Sequence, residues 1–126
     1  MPALTPSEVH TVFVDAFNRG DVDALVALYE PDAVLIERGR PAIGRDAIRQ
    51  AYRDLIDRRG HMVLETRSAV ASSDGLAVLH GAWTLELPDP PGAGRTVTGL
   101  STEVVRRQPD GAWLFVIDEP YTPLAI

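Results

Sequence analysis

The chain has 126 residues, 45% of them hydrophobic and 24% charged, which fits one soluble domain long enough to bury a core. Its formal net charge of -6 is spread along the sequence, with no basic patch, which argues against nucleic acid or an anionic membrane as a partner. All 12 basic residues are Arg and there is no Cys, so lysine Schiff bases, thiol catalysis, disulfides and thiolate metal sites are excluded.

The first ten residues lack a basic segment followed by an apolar one, and no apolar run reaches membrane-spanning length, so the cytoplasm is the expected location. Thr5, Pro6 and Glu8 predict a helix start, with Thr5 as N-cap and Glu8 closing a capping box. Val9, Val12, Phe13, Ala16 and Phe17 then share one helical face, and Asn18-Arg19-Gly20 ends it. Asp21 caps a second, short helix carrying Leu25, Val26, Leu28 and Tyr29, which ends before Pro31. Residues 33–37 read as a short strand. A third helix follows Gly44, with Ile48, Ala51, Tyr52, Leu55 and Ile56 at helical spacing, and Gly60 stops it.

From His61 the pattern changes to strands at 62–71, 76–87, 96–107 and 112–118, rich in Val, Leu, Thr and Trp. The turn clusters SSDG, PDPPGAG and PDG separate them. Helices first and a strand meander second make the class α+β, with three N-terminal helices on a mainly antiparallel sheet. No repeat or linker divides the chain, so residues 1–126 read as a single domain. PDPPGAG, at 88–94, reads as a long hairpin loop and a candidate lip. In Trp113 to Ile117 both alternating sets are apolar, yet three helices cover only one face of a sheet. The other, outer face is expected to meet a second copy in a homodimer.

Several acids stand out. Glu103 interrupts VTGLSTEVV in mid-strand, where a carboxylate must be solvated, paired or in a cavity. Asp118 and Glu119 end the apolar run FVIDEP, and strict alternation groups Asp118 with Leu114 and Val116, but Glu119 with Phe115 and Ile117. His10, His61 and His80 form no metal-ligand spacing, so no metal is expected. His80 alternates against Trp83 and belongs on the opposite face. RGRPAIGR, at 38–45, lacks the lysine and spacing of a phosphate loop, and no cofactor is expected. Arg38, Arg40 and Arg45 are either solvated or placed to meet an anionic ligand.

The order of elements, together with FNRGDVDALVALYEPDAVL, GRDAIRQAY and DGAWLFVIDEP, resembles the ketosteroid-isomerase-like branch of the NTF2-like superfamily, especially its small SnoaL-like members. The resemblance spans essentially the whole chain. It implies a cone: a curved sheet around a long helix, with an apolar pocket between sheet and helices. It also implies a hydrophobic small molecule as ligand and carboxylate acid-base chemistry, in which ketosteroid isomerase sets two acids of different environment to work together. By similarity the base falls on Glu37 and the second acid on Glu103. The oxyanion-binding Tyr falls on Phe13, which has no proton to donate and so argues against steroid isomerisation itself. Tyr52 matches the supporting Tyr of the third helix. If Val116 lines the cone, Asp118 does too, and it would compete with Glu103 to ionise.

The expected reading is a cofactor-independent isomerase, cyclase or dehydratase acting on a hydrophobic carbonyl-containing or polycyclic molecule. Glu37, Glu103, Asp118 and Tyr52 are its candidate catalytic residues. Phe13, Phe17, Leu79, Trp83 and Val116 are its candidate apolar wall. A non-catalytic dimeric binder and an epoxide-opening enzyme that activates water remain as alternatives.

Overall fold

The computed structural model describes residues 2–88 and 94–123. Helix α1 (Glu8–Arg19) buries Val9, Phe13, Ala16 and Phe17, the apolar stripe that its period predicts, and His10 beside them. Thr5 does not cap the backbone. Its hydroxyl instead bonds the Glu8 carboxylate at 3.0 Å, one turn before the helix proper. Gly20 ends α1 in the left-handed conformation, its N–H donating to Ala16 and Phe17 carbonyls. Asp21 caps α2 (Val22–Val26) by accepting the Ala24 N–H at 3.0 Å, as its position predicts.

Helix α2 is shorter than the apolar spacing suggests. Leu28 and Tyr29 leave it, and strand β1 (Tyr29–Glu37) begins at Tyr29 rather than at 33. Pro31 is therefore inside a strand, tolerated at an exposed position where the pairing of β1 with the last strand is irregular. A second strand, β2 (Arg40–Ile43), was not expected from the sequence. It folds back on β1 through Arg38 and Gly39, both at positive φ, the geometry of a tight two-residue hairpin. Helix α3 (Arg45–Asp57) follows, burying Ile48 and Tyr52. Strands β3 (His61–Ala71), β4 (Leu76–Leu87), β5 (Arg95–Arg107) and β6 (Trp113–Glu119) lie within two residues of their predicted bounds. Of the predicted 88–94 loop, residues 89–93 lie outside the described residues.

The three helices pack against a six-stranded, mostly antiparallel curved sheet ordered β2-β1-β6-β5-β4-β3, in which only β1 and β6 run parallel. Helix α1 lies on β3 and β6, and α3 on β1 and β2, so one face of the sheet is covered. Bulges between Thr66 and Ser68 in β3 and opposite Val104 and Val105 in β6 bend the strands. No helix among the described residues is long and apolar enough to cross a membrane.

The β6 bulge has a consequence for the face that each residue shows. Val105 pairs with Phe115 and Val104 with Ile117, which leaves Val116 as the extra residue. Alternation restarts after it. Trp113, Phe115 and Asp118 are buried on the inner face, while Val116 is half-buried and Ile117 exposed.

Candidate active site

The inner face of the sheet and helices α1 and α3 enclose a mostly apolar cavity of about 100 Å³. Phe13, Leu35, Met62, Trp83 and Phe115 form much of its wall. Phe13 meets Tyr52 and Phe115 edge to face, at centroid distances of 5.5 and 5.9 Å, so the aromatic rings brace one another. Two carboxyl groups enter this wall from neighbouring strands. Glu103 of β5 and Asp118 of β6 are direct register partners, and both are buried.

Asp118 is held by phenols. Tyr29 donates to its Oδ2 at 2.5 Å, and the Tyr52 hydroxyl is 3.5 Å from both that oxygen and the Tyr29 hydroxyl. Tyr29 commits its one proton to the short contact, and Tyr52 donates to the same oxygen at the longer distance, a weak bond for which a ligand oxygen can compete. The Tyr29 ring tilts on Phe115 at 4.7 Å, and the Arg45 guanidinium holds the Tyr29 backbone, donating to its main-chain carbonyl at 2.8 Å. Burial pushes the Asp118 carboxyl from its ordinary 3.8 up to about 8, and the negative charge on Glu103 adds to this. The hydrogen bonds from Tyr29 and Tyr52 pull the other way. Asp118 is thus mostly protonated at neutral pH. Burial, and then the nearby Asp118 carboxyl, raise both phenols well above their usual range, so they stay neutral donors.

Glu103 is held differently. Its Oε1 is 2.9 Å from His10 Nε2, and among the described residues His10 is its only side-chain hydrogen-bond partner. The other ring nitrogen, Nδ1, is 2.7 Å from Thr66 Oγ1. With Glu103 negative, Nε2 must carry a proton, and the Thr66 hydroxyl fills the second nitrogen's need. His10 is 2% exposed and lines the cavity, yet no sequence motif marked it. Its one signal was its place on α1: His10, Phe13 and Phe17 recur at i, i+3 and i+7, a polar residue on an apolar stripe.

Of the expected site residues, Glu37, Glu103, Asp118, Tyr52, Phe13 and Trp83 line this one cavity. Glu37 is exposed and stands at its rim rather than inside. Phe17, Leu79 and Val116 do not line it. Phe17 lies one turn beyond Phe13 and packs edge-on to Tyr52 at 6.3 Å, while Leu79 is wholly enclosed in the core. Val116 is displaced by the bulge, and Phe115 takes the wall position assigned to it. Asp118 does look into the cavity, but through that break in alternation rather than in phase with Val116. Tyr29, read as a helical core residue, is fully buried and does not line the cavity, but its hydroxyl holds Asp118 from behind.

At the mouth, the Trp83 indole N–H donates to the Pro120 carbonyl at 2.7 Å, and Tyr121 meets the Trp83 ring edge to face. Arg38 lies 4.5 Å over the Tyr121 ring and bonds its hydroxyl at 3.2 Å, so neither Arg38 nor Arg45 is a bare cation. Gly99 is required here: a Cβ on it would be 2.5 Å from the Trp83 ring, which lies across the bare backbone. His80 is exposed on the outer face and bonds Ser68 at 3.0 Å. Among the described residues, no three His, Asp or Glu side chains group as a metal site.

The SnoaL-like domain family profile matches residues 11–115, and the chain belongs to that family, within the NTF2-like superfamily. Solved structures share the fold at low identity. A ketosteroid isomerase-like protein from Erwinia carotovora superposes with a TM-score of 0.77 at 23% identity, over 94% of this chain and 95% of that one. An NTF2-like protein of unknown function from Shewanella oneidensis gives 0.76 at 24%, over 92% and 95%. A conserved protein from Planctomyces limnophilus gives 0.82 at 20%, over 94% of each chain. No curated protein matches the chain. Likeness at this identity carries the fold alone, so chemistry must be argued from the cavity.

Proposed function

We propose that the chain is a cofactor-independent acid-base enzyme that moves a proton on a hydrophobic, carbonyl-containing small molecule. One observation carries the reading: two carboxyl groups face each other on adjacent strands inside one apolar cavity, Asp118 partnered by phenols and Glu103 by an imidazole. A protonated carboxyl beside a charged one is an acid and a base poised together. The cavity's volume, about 100 Å³, is of the order that holds one aromatic ring.

Asp118 and Tyr52 hydrogen-bond the ligand carbonyl oxygen. The Glu103 carboxylate removes a proton from the adjacent carbon; the C–H electron pair moves into a new C=C bond, and the C=O pair moves onto oxygen. Asp118 stabilises or protonates that oxygen. Return of the proton from Glu103 to a different carbon completes an isomerisation, and loss of a β-hydroxyl or attack on a second carbonyl gives a dehydration or a cyclisation. Glu37, exposed at the rim, is not needed for the step.

The test requires no knowledge of the natural substrate. In D₂O, the protein is expected to accelerate α-proton exchange of at least one small cyclic ketone, such as a tetralone, followed by NMR. Ketones that bind, by native mass spectrometry, without exchange above buffer would identify a non-catalytic binder instead.

We further propose that the outer sheet face pairs with a second copy. Val70, Val78, Val104 and Ile117 lie in register across four strands there, and Val70 and Ile117 are 68% and 39% exposed. Light scattering should give twice the chain mass, and Val78→Arg should give a monomer. A wild-type monomer at micromolar concentration rules this out.

A further inference from the structure

The proposed chemistry leaves one buried polar group in the cavity unused. Ser101 is 3% exposed and lines the cavity, and its Oγ hydrogen-bonds to no described residue. The other buried polar groups beside it are all engaged: Asp118 with Tyr29, Glu103 with His10, and His10 with Thr66. Buried hydroxyls in folded proteins find partners almost without exception, and one that lacks a partner facing a cavity asks for one from a ligand.

The surroundings explain why Ser101 stays unpaired within the fold. Gly81 is its register partner, and a Cβ on Gly81 would be 2.9 Å from Ser101 Oγ, 3.2 Å from His10 Cε1 and 2.8 Å from Leu64 Cδ1. The missing side chain lets Ser101 and His10 stand side by side over bare backbone. His10 presents a carbon to this spot, because both its nitrogens are taken by Thr66 and Glu103. Ser101 therefore has no base to activate it, and its role is hydrogen bonding rather than nucleophilic attack. On β5 it precedes Glu103 by two residues on the same face, roughly 7 Å along the strand. Glu103 and its register partner Asp118 thus stand at the same level of the sheet, two residues along from Ser101.

We propose that Ser101 is a specificity-determining ligand contact, so that the cavity selects a hydrophobic ketone bearing a second oxygen: the carbonyl held by Asp118 and Tyr52, and a hydroxyl or second carbonyl held by Ser101. This rests on the ketone-binding part of the function proposed above but needs no turnover.

The experiment compares 1-tetralone with its ring-hydroxylated isomers by isothermal titration calorimetry. At least one isomer should bind the wild type roughly three- to tenfold more tightly than the parent ketone. Ser101→Ala should remove that preference and leave parent-ketone affinity unchanged; Ser101→Thr should keep part of it. Without ligand, Ser101→Ala should melt no lower than the wild type, because it deletes an unpaired hydroxyl. Absence of any preference in the wild type, equal weakening of both ligand types in Ser101→Ala, or a lower melting temperature for the unliganded variant would each overturn the assignment. Binding with the preference but without proton exchange would sink the proposed reaction and leave this inference standing. Failure of every tetralone to bind would remove both.

Discussion

Two neighbouring positions on the cavity wall hold the same functional group in different company. Asp118 and Glu103 are both buried carboxyls on facing residues, yet one is surrounded by neutral phenols and the other by an imidazole. Phenols solvate a carboxylate only partly, and burial dominates, so Asp118 keeps its proton to about 8. Glu103 instead has a ring nitrogen of His10 at 2.9 Å. Neighbours, more than residue type, divide acid from base here, and the division is open to direct tests.

The largest effect is expected from Glu103→Gln, which keeps the shape and removes the base. Ketone α-proton exchange should fall about 10²- to 10⁴-fold, measured by NMR in D₂O. Retained exchange would move the base elsewhere, with Glu37 the next residue to examine. Asp118→Asn should cost less, about 10²-fold, because Tyr52 still reaches the oxygen.

The pH dependence separates the two acids more finely. If Asp118 acts as the proton donor, the wild-type exchange rate should fall as pH rises through about 8, and Asp118→Asn should lose that alkaline limb. Stability should follow the same group. Between 3.8, where the unfolded carboxyl titrates, and about 8, the folded state keeps a proton that the unfolded state has released. Rising pH therefore costs the folded wild type stability across that window, on the order of a few kcal/mol in all. Urea denaturation from pH 4 to pH 8 should show Asp118→Asn gaining steadily on the wild type; parallel curves would mean that Asp118 is not titrating there.

The smallest shift is expected from Tyr29→Phe. The Tyr29 hydrogen bond lowers the Asp118 pKa, so its loss should move the alkaline limb to higher pH, by less than about one unit in this partly compensated site. A limb moving to lower pH would show that the phenol stabilises the protonated carboxyl.

Much of the fold was legible in the sequence because long elements carry their period openly. The α1 stripe, the Asp21 cap, α3 and five of the six strands, β1 with its start placed late, follow from apolar spacing and turn residues. Strand β2 was hidden: four residues with only Ala42 partly buried show no alternation. Tyr29 was misplaced because it continues the helical spacing of Leu25 and Val26, and its pairing with Phe115 lies far off in sequence. The cavity was legible in part for the same reason. Glu103 announced itself as a charge in mid-strand, whereas His10 needed its partner from β5, and Ser101 was visible only as the residue sharing Glu103's face. Phe17 and Leu79 read as wall because apolar patterning does not distinguish a residue that borders a gap from one that fills the core.

The extra residue in β6 changes what a relative's sequence should be searched for. On a regular strand an aromatic and an acid that share a face are separated by one residue, but here Phe115 and Asp118 are separated by two. An aromatic-x-x-acid spacing before the closing Pro is thus the written trace of the bulge. Relatives with aromatic-x-acid in its place would reach the same wall with a straight strand, and those with neither would have lost this carboxyl from the cavity.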